Sequence, residues 1–182
     1  MIMTRSNRIT IHCLLLLFVT TACSKPTQIS NSESATAPAA SPTAQRITSE
    51  SVVKVAAQPV EISAGGSAAA IVSVTIQNGY HINANPPTYP YLKATELEIS
   101  SAEGVSVGFV SYPKALDKKF PFAEKPLAVY EGETALKATL KTDKGTKPGQ
   151  RSISGRLRIQ ACDDQVCYPP GTLELAIPVN IK

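Results

Sequence analysis

The chain has 182 residues, of which 43% are hydrophobic, and its formal net charge is +4. The first 22 residues contain Arg5 and Arg8 and no acid, so the remainder carries a net charge of only +2. An excess this small and this evenly spread does not suit nucleic acid, whose phosphates are bound by clustered basic side chains. We therefore expect no nucleic-acid partner.

The N-terminal segment combines a basic flank, an apolar run over residues 9–19 and small residues up to Ala22. This combination is typical of a secretory signal peptide. The apolar run is shorter than the roughly 20 residues that a membrane-spanning helix needs. The sequence therefore predicts that residues 1–22 are a signal peptide and that the chain is exported.

Residues 19–23, VTTAC, resemble the lipobox of bacterial lipoproteins, in which the cysteine becomes the lipidated first residue. Thr20 occupies a position where that pattern prefers an aliphatic residue. The alternative is cleavage near Ala22 by the general signal peptidase, which would leave Cys23 as an odd thiol in an oxidising compartment. Because such a thiol is a liability, we favour lipidation of Cys23 and attachment to a membrane through several acyl chains.

Residues 23–50 are rich in Ser, Thr, Ala and Pro and contain no aromatic residue. Their only large apolar side chains are Ile29 and Ile47, too few to offset the entropy cost of ordering the segment. The composition predicts a lipid-anchored flexible linker that reaches about 30 Å.

Residues 51–182 show apolar residues alternating with polar ones, the pattern of half-buried β-strands. The alternation is clearest over residues 72–76, 136–140, 153–159 and 173–181. Weaker strand candidates cover residues 53–57, 92–99, 105–112 and 127–130. Gly-containing turns separate the segments at intervals that suit an antiparallel β-sandwich, so the sequence predicts one all-β domain.

Two of the four cysteines, Cys162 and Cys167, belong to this domain. Of the other two, Cys13 lies in the predicted signal peptide and Cys23 is the predicted lipidation site. A structural disulfide closing a loop of about six residues contributes only about 2 kcal/mol in the chain-entropy model. A domain of this size should not need such a staple. If the strand over 153–159 continues through Cys162, that side chain lies on the outward face, unless a bulge reverses it. We favour a redox couple over a purely structural disulfide.

A metal site would need more ligands than the domain offers. His81 is the only histidine outside the signal peptide, whereas zinc sites use about four Cys, His or carboxylate ligands. Two thiolates could still hold Cu(I), which remains a minor alternative. We interpret His81 as a loop or surface residue and expect neither a metal nor another cofactor.

The stretch CDDQVCYPP at residues 162–170, with NGYHIN at 78–83 and NPP at 85–87, resembles the N-terminal periplasmic domain of the thiol:disulfide interchange protein DsbD. The resemblance covers roughly residues 51–182. It implies an immunoglobulin-like antiparallel β-sandwich on the periplasmic side of the bacterial cell envelope. It also implies a redox-active disulfide between Cys162 and Cys167 at one end, under a short cap loop.

The resemblance further implies that the pair accepts electrons from a thioredoxin-like donor and reduces periplasmic disulfide proteins. By analogy, Cys167 is the attacking residue. The cap's shielding side chain would be Phe120 or Phe122, and basic residues stand there where the family tends to have acids. Four residues separate the two cysteines, where the family usually has five. Because the sequence ends at Lys182, we expect the donor and its membrane conduit to be encoded elsewhere.

Four further residues are candidates for modulating or shielding the pair. Asp163 and Asp164 place negative charge near the sulfurs, which raises thiol pKa values, or they are solvated turn residues. Tyr168 and Tyr80 would wall the pair, although ordinary strand packing explains Tyr168 equally well. The competing function is a surface-tethered binding or chaperone-like sandwich in which the disulfide is purely structural.

Overall fold

The computed structural model of the protein describes residues 46–182. The predicted signal peptide, Cys23 and most of the predicted linker lie outside these residues. The described part begins with a 3-10 turn at Glu50–Val52 and continues almost entirely as β-strands. In chain order the strands are β1 Val53–Ala57, β2 Val60–Ile62, β3 Ser67–Ile76, β4 His81–Asn83, β5 Glu96–Ile99, β6 Val105–Ser111, β7 Leu116–Lys118, β8 Leu127–Tyr130, β9 Glu133–Thr142, β10 Gly149–Ile159, β11 Ala161–Cys162 and β12 Gly171–Ile181.

Two four-stranded sheets form the sandwich. The first has the order β1-β3-β9-β6 and the second the order β2-β12-β10-β5. All neighbouring strands within them are antiparallel except β2 and β12, which pair in parallel. The prediction of an all-β, immunoglobulin-like sandwich is confirmed.

The core between these sheets follows from the period-two alternation. In β10, Ile153, Leu157 and Ile159 are buried, while the intervening Arg156 and Arg158 are exposed. Side chains from β3, β9 and β12 join the same cluster. Each fully buried side chain of this size contributes about 1.5–3 kcal/mol of hydrophobic stabilisation. Because every second side chain of a long strand is buried, a shift of one residue would expose them all, and this fixes the register of these strands.

A third sheet, with the order β11-β4-β8-β7, consists of short strands. The chain leaves β10 at Gln160 and enters β11 of this third sheet, so β10 does not continue through Cys162. The expectation that Cys162 lies on the outward face is therefore wrong, because the strand that holds it belongs to another sheet. Cys162 is 0% exposed.

The first described residues pack against this third sheet. The Ser49 hydroxyl donates a hydrogen bond to the Pro169 carbonyl at 2.6 Å and accepts one from the Ala161 amide at 3.0 Å. The Glu50 carboxylate accepts a hydrogen bond from the Thr172 amide at 3.2 Å. Ser49 is 0% exposed, although the sequence analysis assigned it to the flexible linker.

Candidate functional site

The two cysteines close a tight hairpin after β11. Cys162 and Cys167 are bridge partners and form a disulfide, with their Cα atoms 3.9 Å apart. The Asp163 amide donates to the Val166 carbonyl at 2.9 Å, and the Tyr168 amide donates to the Ala161 carbonyl at 2.8 Å. Backbone hydrogen bonds thus hold the loop on both sides of the disulfide.

The Asp163 side chain ties this loop together. One carboxylate oxygen accepts hydrogen bonds from the Gln165 and Val166 amides, both at 2.8 Å. The other accepts a hydrogen bond from the Tyr168 hydroxyl at 2.5 Å. The Tyr168 hydroxyl is the main cause that lowers the pKa of Asp163, and the same bond raises the pKa of Tyr168 to about 12. Asp163 therefore carries its negative charge inside the loop, next to the cysteine pair. Asp164 beside it is exposed.

Tyr168 and Gln160 join the hairpin to the rest of the domain. The Tyr168 ring lies 6.1 Å from that of Tyr80, and both rings pack against the main core. The Gln160 side-chain amide donates to the Tyr168 carbonyl at 3.2 Å, and its oxygen accepts from the buried Asn83 side chain at 3.1 Å. Asn83 is the last residue of the motif NGYHIN, but the sequence analysis gave it no role, and it did not single out Gln160, since a lone amide has no recognisable pattern.

The two cysteines differ in their exposure to solvent. Cys162 is fully buried, whereas Cys167 is partly exposed and lines a cavity of about 310 Å³. The cavity walls include the exposed side chains of Tyr91, Phe122 and Val166. A molecule in this cavity can therefore approach Cys167 but not Cys162.

The loop between β7 and β8, called the cap below, packs against Cys167, and its two phenylalanines lie in different environments. Phe120 is 4% exposed and belongs to a small apolar cluster against which Cys167 packs. Phe122 is 42% exposed, and its ring lies 5.4 Å from that of Phe120. Of the two candidates for the shielding residue, Phe120 has the buried position.

His81 is part of the site, and its interpretation as a loop or surface residue is wrong. It lies in β4, is 1% exposed and is the register partner of Cys162. The Phe120 ring stacks on its imidazole with a centroid distance of 4.1 Å. Gly79, with a φ of 86° that favours glycine, turns the chain into β4 two residues earlier. The motif NGYHIN contains both the glycine turn and His81, but a three-residue strand shows no periodicity that could reveal the burial of His81.

One ion pair flanks the cap. The Lys118 ammonium lies 2.5 Å from the Glu131 carboxylate and 5.5 Å from the centre of the Phe120 ring. The hydrogen bond to Glu131 is the main cause that raises the pKa of Lys118. Lys119 is exposed and has no salt-bridge partner within residues 46–182. The cap therefore presents one exposed lysine that makes no ion pair.

Residues 46–182 contain no cluster of three or more His, Cys, Asp or Glu side chains that could hold a metal ion. Within the same range, no helix is long and apolar enough to cross a membrane.

The fold and the site define a class, an immunoglobulin-like β-sandwich whose third sheet carries a disulfide-closed hairpin. Residues 43–177 match the family model described as "Thiol:disulfide interchange protein DsbD, N-terminal". This match covers well over half of the chain, so the chain belongs to that family and contains a thiol–disulfide interchange domain. A search among curated protein sequences gives no match.

Two solved structures are similar in fold. The N-terminal periplasmic domain of ScsB from Proteus mirabilis is 17% identical, with a TM-score of 0.48 over 69% of this chain and 44% of that chain. The N-terminal domain of DsbD from Neisseria meningitidis, in the reduced form, is 22% identical, with a TM-score of 0.45 over 72% of this chain and 87% of that chain. The chain thus spans less than half the length of the ScsB chain.

Proposed function

We propose that the protein is an electron relay of the bacterial cell envelope. In this relay Cys162 and Cys167 accept two electrons from a thioredoxin-like dithiol and pass them to periplasmic disulfide proteins. Membership of the interchange family supports the reaction class. The observation that carries the proposal is the unequal exposure of the two cysteines, since Cys162 is buried and Cys167 lines an open cavity.

This asymmetry assigns each cysteine a step. The Cys167 thiolate attacks a partner disulfide, forms a mixed disulfide and releases one partner thiolate. The Cys162 thiolate then attacks the Cys167 sulfur, which closes the internal disulfide and releases the second partner thiolate. The donor dithiol reverses this sequence, attacking Cys167 first because Cys162 cannot be reached. In each cycle two electrons enter from the donor and two leave to the acceptor disulfide, and the released thiolates take protons from water.

The partner docks over the cavity beside Cys167. Its apolar rim, formed by Tyr91, Phe122 and Val166, can be covered by an apolar partner surface that excludes water from the exchanging sulfurs. Phe120 shields the pair from small oxidants when no partner is bound. The negative charge of Asp163 and Asp164 beside the pair disfavours the reactive thiolate form, which slows reaction with stray oxidants.

The domain operates on a tether. Acylation of Cys23 after removal of residues 1–22 would anchor the chain to a membrane, and the part of the predicted linker that precedes the packed Ser49 and Glu50 would let the domain search the nearby surface. The alternative, a binding sandwich with a structural disulfide, predicts no covalent intermediate with any partner.

A mixed-disulfide trap in the native host tests the relay. The Cys162→Ser variant keeps the exposed attacking thiol but cannot resolve, so it should accumulate a covalent adduct that reducing agent removes. The Cys167→Ser variant is the matched control and should give none. Both should remain folded, because loop closure contributes only about 2 kcal/mol. Marked destabilisation of both variants without any adduct would support the structural disulfide instead.

A further inference from the structure

His81 and Cys162 are neighbours across the β4–β11 pair. Side chains of directly opposed residues in an antiparallel pair point to the same face, with Cβ atoms about 4.5–5.5 Å apart. The imidazole is 1% exposed and the cysteine 0%. The side chain closest in register to the buried sulfur is therefore a polar ring that water does not reach.

The Nε2 atom of this ring has no hydrogen-bond partner. Buried polar atoms are nearly always paired, and an unpaired one costs free energy, so its presence needs an explanation. Stacking on Phe120 holds the ring in place. In the oxidised state the residue paired in register with Cys162 thus keeps an unsatisfied ring nitrogen.

Reduction of the disulfide supplies the missing partner. A disulfide sulfur carries no hydrogen, whereas the Cys162 thiol has an S–H group that can donate to a neutral ring nitrogen. We propose that Nε2 of His81 accepts a hydrogen bond from the Cys162 thiol in the reduced domain and thereby stabilises the reduced state. The inference rests on the proposed relay, in which the reduced state is the one that delivers electrons.

The reaction balances without any further reactant. A donor dithiol gives two electrons and becomes a disulfide, while the bond between Cys162 and Cys167 breaks. One proton ends on each of the two sulfurs. The proton on Cys167 faces the cavity, and the proton on Cys162 is shared with His81. Closing the disulfide again removes both protons and leaves Nε2 without a donor.

The ring has the protonation state that this role requires. Burial is the main cause that lowers the pKa of His81 to about 4, and Lys118 lowers it further. The carboxylates of Glu131, Asp164 and Asp163 act in the opposite direction but do not offset burial. At neutral pH the imidazole is therefore uncharged, and an uncharged imidazole keeps one nitrogen as an acceptor.

The redox equilibrium of the full-length chain with a glutathione buffer at pH 7 tests this role. In His81→Phe, an aromatic ring remains to stack on Phe120 but the acceptor is lost. We expect its disulfide to be about tenfold harder to reduce than the wild-type disulfide, which lowers the potential by about 30 mV. His81→Gln, which offers an amide oxygen in the position of Nε2, should recover most of the difference.

Equal equilibria for the wild type and His81→Phe would overturn the inference. Equal shifts in the Phe and Gln variants would also overturn it, because His81 would then act through packing alone. A direct signature comes from NMR of ¹⁵N-histidine-labelled protein, in which the Nε2 resonance of His81 should shift on reduction. An unchanged resonance would refute the hydrogen bond. None of these measurements needs a biological partner, so their failure is distinguishable from a failed mixed-disulfide trap, which would refute the relay.

Discussion

Replacing Phe120 by Ala should speed alkylation of the reduced Cys162 thiol. The ring is 4% exposed and stacks on His81, the register partner of Cys162, so we expect that it must move before a small reagent reaches the buried cysteine. Full burial of a phenylalanine contributes about 1.5–3 kcal/mol. Since 1.4 kcal/mol corresponds to a factor of ten, removal of the ring should raise the rate by about 10- to 100-fold. Phe122 is 42% exposed, so Phe122→Ala should change the rate only a few-fold.

The assay uses a Cys167→Ser background, so that Cys162 is the only thiol of the folded domain that can react. Samples quenched over time and analysed by mass spectrometry give the rate for that site. Truncation of a packed phenylalanine can cost about 3–5 kcal/mol of stability, so each variant must be shown to be folded at the assay temperature. Phe120→Leu keeps most of the volume and should give an intermediate rate. Equal rates for Phe120→Ala and Phe122→Ala in folded proteins would refute the assignment of the shield.

Three other substitutions test parts of the account. Ser49→Ala leaves the buried Ala161 amide unpaired and should lower the free energy of unfolding by about 1–3 kcal/mol, whereas the exposed Ser51→Ala should change it little. Asp163→Ala removes three hydrogen bonds from the hairpin and should lower that free energy by about 1 kcal/mol at pH 7. The folded-state pKa of Asp163 is lowered from its ordinary value of 3.8. The stability difference between the wild type and Asp163→Ala is therefore fully present well above that value, and it is lost as the pH falls through the lowered pKa and the wild-type carboxyl protonates. Cys23→Ala should abolish metabolic labelling with a fatty acid.

Each of these expectations has a measurement that would contradict it. Chemical unfolding that finds Ser49→Ala as stable as Ser51→Ala would mean that the N-terminal residues do not hold the hairpin. A stability difference for Asp163→Ala that stays constant from pH 7 to pH 2 would show that the charged form of the carboxyl is not what stabilises the loop. Equal fatty-acid labelling of the wild type and Cys23→Ala would remove the lipid anchor from the proposal.

The long strands could be predicted from the sequence because their alternation extends over enough residues to be recognised. The predicted segment 153–159 lies within β10, and its odd-numbered residues are buried as expected. The candidates at 53–57 and 127–130 coincide with β1 and β8, whereas the candidate at 92–99 shortens to β5 at Glu96–Ile99. Where one face of a strand is buried, period two is a direct consequence of the pleat.

The site was harder to predict because it is assembled from short elements. β4, β7 and β11 have three residues or fewer, too few for a period, and together with β8 they form the sheet that holds Cys162 and His81. The burial of Cys162 depends on the change of sheet at Gln160, which no local pattern signals. The burial of His81 depends on its pairing with β11, about 80 residues away in sequence. The cysteine motif itself was recognisable, since its residues are contiguous.

The reduction potential of the Cys162–Cys167 pair tests the central claim most directly. A relay must accept electrons from one partner and give them to another. Known exchange partners have potentials that range from about −120 to −270 mV. Equilibration of the full-length chain with glutathione or dithiothreitol buffers, followed by alkylation and mass analysis, gives the value. The account predicts a potential within that range. A potential below about −300 mV, typical of structural disulfides in secreted proteins, would contradict it.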